Sequence, residues 1–374
     1  MINNSRGLLI KPASSLCTLR CEYCFYHDIA SKRETKSHGI MNDETLDLLC
    51  RKALEDQPKS ISFAFQGGEP TMAGLDFYRR LLEYQKKYNK GSIISNSIQT
   101  NGYGLDEEWA KFFAENDFLV GVSIDGTKDI HNTYRKTASG DDSFNDIMNT
   151  IALFNSYGVK YNILTVVTRA VARKPEKIYN FYKRSGFKYL QFIPCMDKYG
   201  ENITERYSLT TDDYASFMMK LFDLWFEDLL KGDNISIRQF DNYVEMAAGL
   251  PPESCGMSGV CTVQCVVEAD GSVYPCDFYV LDEYRLGNIH DSSFAELETS
   301  TLGTDFINNS RILPAKCRQC RIVGICRNGC ARYRDADGIN IHCEAYKKFF
   351  AHAGGRISRL AQLLKANISI DKLQ

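Results

Sequence analysis

The sequence predicts an α/β protein that runs into a cysteine-rich segment, on three observations. Short β-branched or aromatic runs alternate six times with longer helical patterns over roughly the first 235 residues. Motifs rich in Gly, Asn, Asp and Cys recur where those runs end. Beyond residue 255 the periodic hydrophobicity fades, and nine cysteines fall between residues 255 and 343.

Taken in order, the candidate strands are 7–11, 60–66, 92–99, 119–124, 160–167 and 188–193. Between them the candidate helices are 43–56, 75–90, 106–116, 143–157 and 175–185, each opened at or near a capping or first-turn residue. Six β/α repeats argue for a parallel sheet, curved or open. If the sheet curls into a partial barrel, the loops leaving its C-terminal strand ends carry the chemistry. The notable residues fall there: Cys17, Cys21 and Cys24 after strand one, Gly67-Gly68-Glu69-Pro70 after strand two, and Thr100-Asn101-Gly102 after strand three. Asp125-Gly126 follows strand four and Cys195-Met196 follows strand six. An aromatic amphipathic helix is expected over 210–231 and a final helix over about 344–366. Between these two helices, the cysteine-rich stretch buries too little apolar area to fold alone, so bound metal must supply folding energy. The division expected is 1–235, 236–350 and 351–374.

Composition narrows the class. The chain has 374 residues, 44% of them hydrophobic, enough for a substantial core. No stretch reaches 18 apolar residues and Met1 to Arg6 lacks an apolar signal region, so no membrane partner and a cytoplasmic location are expected. Fourteen cysteines in a reducing compartment read as metal ligands or catalytic thiols rather than disulfides. A net charge of -2 gives no support for a nucleic-acid partner.

The spacing CxxxCxxC of Cys17, Cys21 and Cys24 is expected by chance only about 0.02 times in a chain of this composition. Three thiolates on one tight loop bind a metal cluster while leaving one metal ion short of a protein ligand, which makes an open, catalytic site. A zinc knuckle is the competing reading, with His27 as fourth ligand. In the C-terminal third, Cys255, Cys261, Cys276, Cys317, Cys320, Cys326, Cys330 and Cys343 make eight, enough to close two clusters of four. Their division between the clusters is open, and Cys265 competes with Cys261 as a ligand. Cys50, within a helical pattern, reads as a small buried apolar residue.

The segment from Cys17 to Cys24, with Tyr23 before the third cysteine, resembles the cluster loop of the radical S-adenosylmethionine enzymes, and Gly67-Gly68-Glu69-Pro70 resembles their GGEP motif. The C-terminal array is similar to the SPASM extension of that superfamily. The stretches 11–15, 25–27, 63–66, 99–102 and 274–279 look most like the anaerobic sulfatase-maturating enzymes. That resemblance implies a partial (β/α)6 barrel with a C-terminal cysteine-rich iron-sulfur (SPASM) domain. It also implies oxidation of a sulfatase Cys or Ser to Cα-formylglycine by a 5'-deoxyadenosyl radical that takes a Cβ hydrogen. The cofactors implied are three 4Fe-4S clusters and S-adenosyl-L-methionine; the partners are a sulfatase segment of CxPxR type and a flavodoxin or ferredoxin as electron donor.

Carried over by position, the resemblance implies that Tyr26, Gly68, Ser123, Arg135 and Met196 contact S-adenosylmethionine and that Asp277 is the base. It implies two auxiliary clusters, closed by eight Cys and suited to electron transfer. Two other readings stand beside it: a SPASM maturase that crosslinks a ribosomal peptide, and a non-catalytic iron-sulfur electron carrier. The first usually carries an N-terminal peptide-recognition domain, for which a cluster loop starting at residue 17 leaves no room. The second must explain an incomplete three-cysteine site beside GGEP.

Overall fold

The computed structural model describes residues 5–201 and 204–366. Six strands form its centre: β1 (Ser5–Ile10), β2 (Ser60–Phe65), β3 (Ile93–Thr100), β4 (Leu119–Ser123), β5 (Lys160–Val167) and β6 (Tyr189–Pro194). They pair in chain order and all in parallel, as the six β/α repeats predict. Helices Asp43–Leu54, Leu75–Tyr88, Glu107–Glu115, Phe144–Tyr157 and Pro175–Arg184 cover the outer face. Their starts are set locally: Asn42 accepts a hydrogen bond from the Thr45 amide and Asp106 from the Trp109 amide, satisfying first-turn donors that the helix leaves unpaired.

Side-chain alternation decides which residues meet inside the sheet. In β2, Ile61, Phe63 and Phe65 are buried under the helices, so Ser60, Ser62 and Ala64 take the opposite face. The parallel register aligns Ile10 with Phe65, Phe65 with Ile98, Ile98 with Val120 and Ser123 with Leu164. One parity step on, Lys11, Gln66, Gln99 and Ser123 stand on the inner face at the C-terminal strand ends. The concave side of the sheet is therefore polar at one end.

The C-terminal segment extends this sheet rather than sitting apart from it. β7 (Ser236–Ile237) pairs in parallel with β6 at one edge. At the other, β8 (Val266–Val267) runs parallel to β1, aligning Leu9 with Val266 and Ile10 with Val267. β9 (Ser272–Tyr274) and β10 (Gly287–Asn288) follow antiparallel, completing a ten-stranded sheet in the order β10-β9-β8-β1-β2-β3-β4-β5-β6-β7. Strands of two or three residues carry too few alternating positions to be read from sequence.

The last helix spans Cys343–Ala366, so the boundary expected at residue 350 falls inside it, and the tail beyond 366 lies outside the described residues. It packs on helices Thr211–Leu230 and Arg238–Ala247 through aromatic rings: Phe349 lies 5.7 Å from Phe222 and 5.9 Å from Phe240, and Phe350 lies 4.9 Å from Tyr243. Phe349 is fully buried. Phe349→Ala should cost about 3–5 kcal/mol, read as a lowered midpoint in urea unfolding.

Candidate active site and thiol clusters

The three-cysteine loop leaves the end of β1 and is held by the GGEP turn. Gly67 has φ +137°, a left-handed conformation that favours glycine. The Gly68 amide donates to the Ser14 carbonyl at 2.8 Å and the Glu69 amide to the Leu16 carbonyl at 2.7 Å. A Cβ on Gly68 would stand 2.0 Å from the Leu16 carbonyl oxygen, so the two backbones approach closer than any side chain permits. Glu69 is fully buried and accepts from Thr71 and Thr100 hydroxyls, both at 2.8 Å, and from the Asn101 amide at 2.7 Å. Burial raises its pKa against those hydrogen bonds. One carboxylate thus joins the ends of β2 and β3, and Asn101 passes the link on to Thr18 at 2.9 Å.

Within the loop, the Cys24 amide closes a turn onto the Cys21 carbonyl at 3.1 Å. Burial pushes the Cys17 thiol up to about 11 and the Cys21 thiol up to about 12. Beneath them, Tyr23 donates its hydroxyl to the buried carboxylate of Asp125, which Arg135 grips through Nε at 2.9 Å. Nη1 of Arg135 faces Cys21 Sγ at 3.9 Å. The Arg135 guanidinium is thus already committed to a carboxylate of this chain. His131 is buried and held by protein alone: Nδ1 accepts from the Asp125 amide and Nε2 meets Ser143, while desolvation lowers its pKa to about 4. Ser123 is buried on the inner face and accepts from Gln99 at 3.2 Å. Met196 borders a cavity of about 260 Å³ together with Tyr23, Cys24, Phe25 and Tyr207.

Asp277 reaches the same inner face from the C-terminal segment. Lys11, fully buried, forms an ion pair with its Oδ1, and Gln66 donates to its Oδ2 at 2.6 Å. Below Lys11 lies the ring of Tyr26, 3.7 Å from Nζ. The Tyr26 hydroxyl points away to buried Glu268, itself paired with Arg33 at 2.7 Å. Tyr26 therefore contributes the face of its ring to this site and its hydroxyl to the packing behind it. Sequence reasoning passed over Lys11 and Glu268 as functional residues. For Lys11 a signal existed, a lone cation closing an apolar strand; Glu268 had none, since its partners lie more than 230 positions away.

All fourteen thiols are free, and the eight C-terminal ones divide into two neighbourhoods. Cys255, Cys261, Cys276 and Cys330 act on one another electrostatically, and so do Cys317, Cys320, Cys326 and Cys343. Cys265 joins neither: it is fully buried, with Sγ 3.4 Å from Glu298. Cys50 is buried in its helix as expected, and Cys195 is buried near Tyr23 and Tyr207. Among the described residues no three His, Cys, Asp or Glu side chains are grouped to hold a single metal ion.

Residues 12–181 match the Radical SAM superfamily, and residues 255–321 match SPASM, described as an iron-sulfur cluster-binding domain. The chain is 47% identical over 367 residues to the cysteine-type anaerobic sulfatase-maturating enzyme of Clostridium novyi (strain NT), covering 96% of this chain and 98% of that one. It is 48% identical over 366 residues to the enzyme of the same name from Clostridium perfringens (strain 13 / Type A), covering 96% and 99%. The solved structure described as native anSMEcpe with bound AdoMet and Kp18Cys peptide superposes with a TM-score of 0.92 at 48% identity, covering 96% of this chain and 99% of that one. Fold and site thus define a radical S-adenosylmethionine enzyme with an iron-sulfur C-terminal domain. Within that superfamily, the chain belongs to the anaerobic sulfatase-maturating enzymes.

The contact between GGEP and the cluster loop generates a direct test. Gly68→Ala forces a backbone shift, and the expected cost is roughly 1–3 kcal/mol, measured as a fall in thermal midpoint.

Proposed function

We propose that this chain oxidises a cysteine in a CxPxR-type segment of a sulfatase to Cα-formylglycine. The observation that carries the reading is Asp277, a carboxylate from the cysteine-rich segment held by Lys11 and Gln66 over the polar end of the barrel face, with the neighbouring Phe278 ring 5.0 Å from that of Phe25, which follows the three-cysteine loop. The cysteine-type name of both clostridial relatives favours Cys over Ser as the substrate residue.

The thiols and close glycine turn suit an iron-sulfur cluster with S-adenosylmethionine. Cys17, Cys21 and Cys24 would hold the first cluster, Cys255, Cys261, Cys276 and Cys330 the second, and Cys317, Cys320, Cys326 and Cys343 the third. Becoming ligands would cost half-buried Cys17 and Cys21 their protons, the deprotonation that metal binding drives. Gly68, Ser123 and Met196 would meet S-adenosylmethionine; Tyr26 and Arg135 would act there by supporting neighbouring groups. Bound together, cluster and S-adenosylmethionine supply a 5'-deoxyadenosyl radical able to abstract a Cβ hydrogen.

The chain's own task is to place the peptide and move its proton. A substrate thiol with an ordinary pKa of about 8.5 is mostly protonated at neutral pH, so a base at the sulfur helps. Asp277 fills that role: Lys11 and Gln66 hold its two oxygens and fix its plane, leaving lone pairs for the thiol proton. The buried Tyr26 ring under Lys11 excludes water behind the pair.

In this reading residues 1–235 generate the radical and 236–350 carry the auxiliary clusters, with the last helix crossing residue 350 to join them. A flavodoxin or ferredoxin would supply electrons. Among the described residues no helix is long and apolar enough to cross a membrane, and we assign the chain to the cytoplasm.

The test is to incubate the anaerobically reconstituted protein, S-adenosylmethionine and a reductant with a CxPxR peptide and weigh the product. Loss of two hydrogens with oxygen in place of sulfur is expected; a thioether or carbon crosslink instead would overturn the reading. Asp277→Asn should keep S-adenosylmethionine cleavage but lower formylglycine yield by about 100-fold or more. Cys343→Ser should reduce bound iron from about twelve to roughly eight per chain, whereas Cys265→Ser should leave it unchanged by iron assay.

A further inference from the structure

Two cations share one aromatic ring behind Asp277. Lys11 Nζ stands 3.7 Å from the centre of the Tyr26 ring, and the Arg33 guanidinium 5.7 Å from it. All three side chains are buried, as are the two carboxylates that balance the charges, Asp277 for Lys11 and Glu268 for Arg33.

Glu268 and Asp277 come from the two arms of one hairpin. Glu268 follows β8 at the turn, where its amide donates to the Ser272 carbonyl at 2.9 Å and its carbonyl accepts from the Gly271 amide at 2.9 Å. Asp277 follows β9. From the closed turn, Oε1 of Glu268 accepts both the Tyr26 hydroxyl and Arg33 Nη1, the latter at 2.7 Å. The residue before it acts on Lys11 directly, since the Val267 carbonyl accepts the Lys11 amide at 2.8 Å. The Lys11 stem also runs against Gly67, where an added Cβ would stand 3.2 Å from Lys11 Cβ and Cγ. Lys11 is thus confined between the GGEP turn and a ring whose hydroxyl Glu268 ties down.

This arrangement orients groups and does not relay protons. Among the described residues no hydrogen bond joins Glu268 to Lys11 or Asp277, and the face of the Tyr26 ring between them carries no exchangeable proton. An ammonium gains from an aromatic face only while it stays over it, so the place of the ring sets the place of the ammonium. Glu268 also balances Arg33. Without it an unpaired second cation would stand over the same ring and repel Lys11.

Resting on Asp277 as the base, we propose that Glu268 is a positioning residue for it: Glu268 anchors Tyr26 and neutralises Arg33, so Lys11 stays over the ring and holds the Asp277 carboxylate toward the substrate thiol. The thiol proton passes to Asp277, and Glu268 gains and loses none. The test supplies wild-type and Glu268→Gln holoenzyme with S-adenosylmethionine, dithionite and a CxPxR peptide, and counts 5'-deoxyadenosine and formylglycine separately. A misaligned base slows only the step that needs it. For formylglycine kcat should fall at least about tenfold with peptide KM within about twofold of wild type, and 5'-deoxyadenosine released per formylglycine should rise at least about fivefold. A second readout needs no turnover: reductive methylation of the holoenzyme, followed by mass spectrometry, should label buried Lys11 at least about fivefold faster in the variant, while exposed Lys86 reacts equally in both. A rise in KM alone, formylglycine and 5'-deoxyadenosine falling in step, unchanged coupling, or unchanged Lys11 labelling each overturns the assignment. Should Glu268→Gln lose iron, Arg33→Met/Glu268→Leu, which removes both charges and the acceptor together, replaces it under the same criteria. Absence of formylglycine from the wild-type reaction refutes the proposed function instead, whereas the Lys11 comparison stands apart from turnover.

Discussion

A charge taken out of water must find a partner, and in this protein that requirement ties the two ends of the chain together. Lys11 closes the first strand and is fully buried; Asp277, 266 positions later, is its counter-ion. Removing one partner of a buried pair typically costs about 3–5 kcal/mol, so neither half of the molecule has a comfortable state without the other. The pairing of β8 on β1 makes the meeting possible. β9, paired on β8, then delivers Asp277 to the inner face of the barrel. Gln66 and the ring of Tyr26 then complete the surroundings, and Glu268 with Arg33 repeats the same principle one layer deeper.

The cluster loop is governed by a different constraint, the satisfaction of backbone groups. A loop of irregular turns must satisfy its backbone groups, and the GGEP turn donates its Gly68 and Glu69 amides to the Ser14 and Leu16 carbonyls. Glycine at 68 is a condition of that contact, since no side chain fits against Leu16. Glu69 then does in the interior what a strand ladder does elsewhere, joining the ends of β2 and β3 through four donors. Because one carboxylate and two glycines define where the three thiols stand, the loop is a rigid extension of the sheet rather than an appendage of it.

Much of this was legible beforehand. The six barrel strands and the helices between them follow the periodicity of their apolar residues to within two positions at each end, and the glycine, proline and capping residues mark the turns. The three-cysteine loop and the GGEP turn were likewise marked by spacing, and resemblance singled out Asp277, whose partners Lys11 and Gln66 only the fold supplies. Less was legible in the C-terminal third. Its strands have two or three residues, too few to alternate, and its thiols are too numerous for spacing alone to divide into two sets. Arg135 and Tyr26 illustrate the limit at the level of single residues: no local motif announces that Arg135 Nε holds Asp125 or that the Tyr26 hydroxyl holds Glu268.

What the sequence determined by itself was therefore the inventory: a repeating β/α architecture, a loop of three closely spaced thiols and a cysteine-rich C-terminal third. Local spacing carries that information because helix and strand periods, turns and short metal-binding motifs all act within a few residues. Tertiary structure alone decided which thiols share a neighbourhood, that Cys265 stands outside both, and which side chains hold Asp277 in position. Those facts depend on contacts between positions some 200 or more residues apart, or on sorting near neighbours by the direction their side chains take, and only the folded sheet sets either.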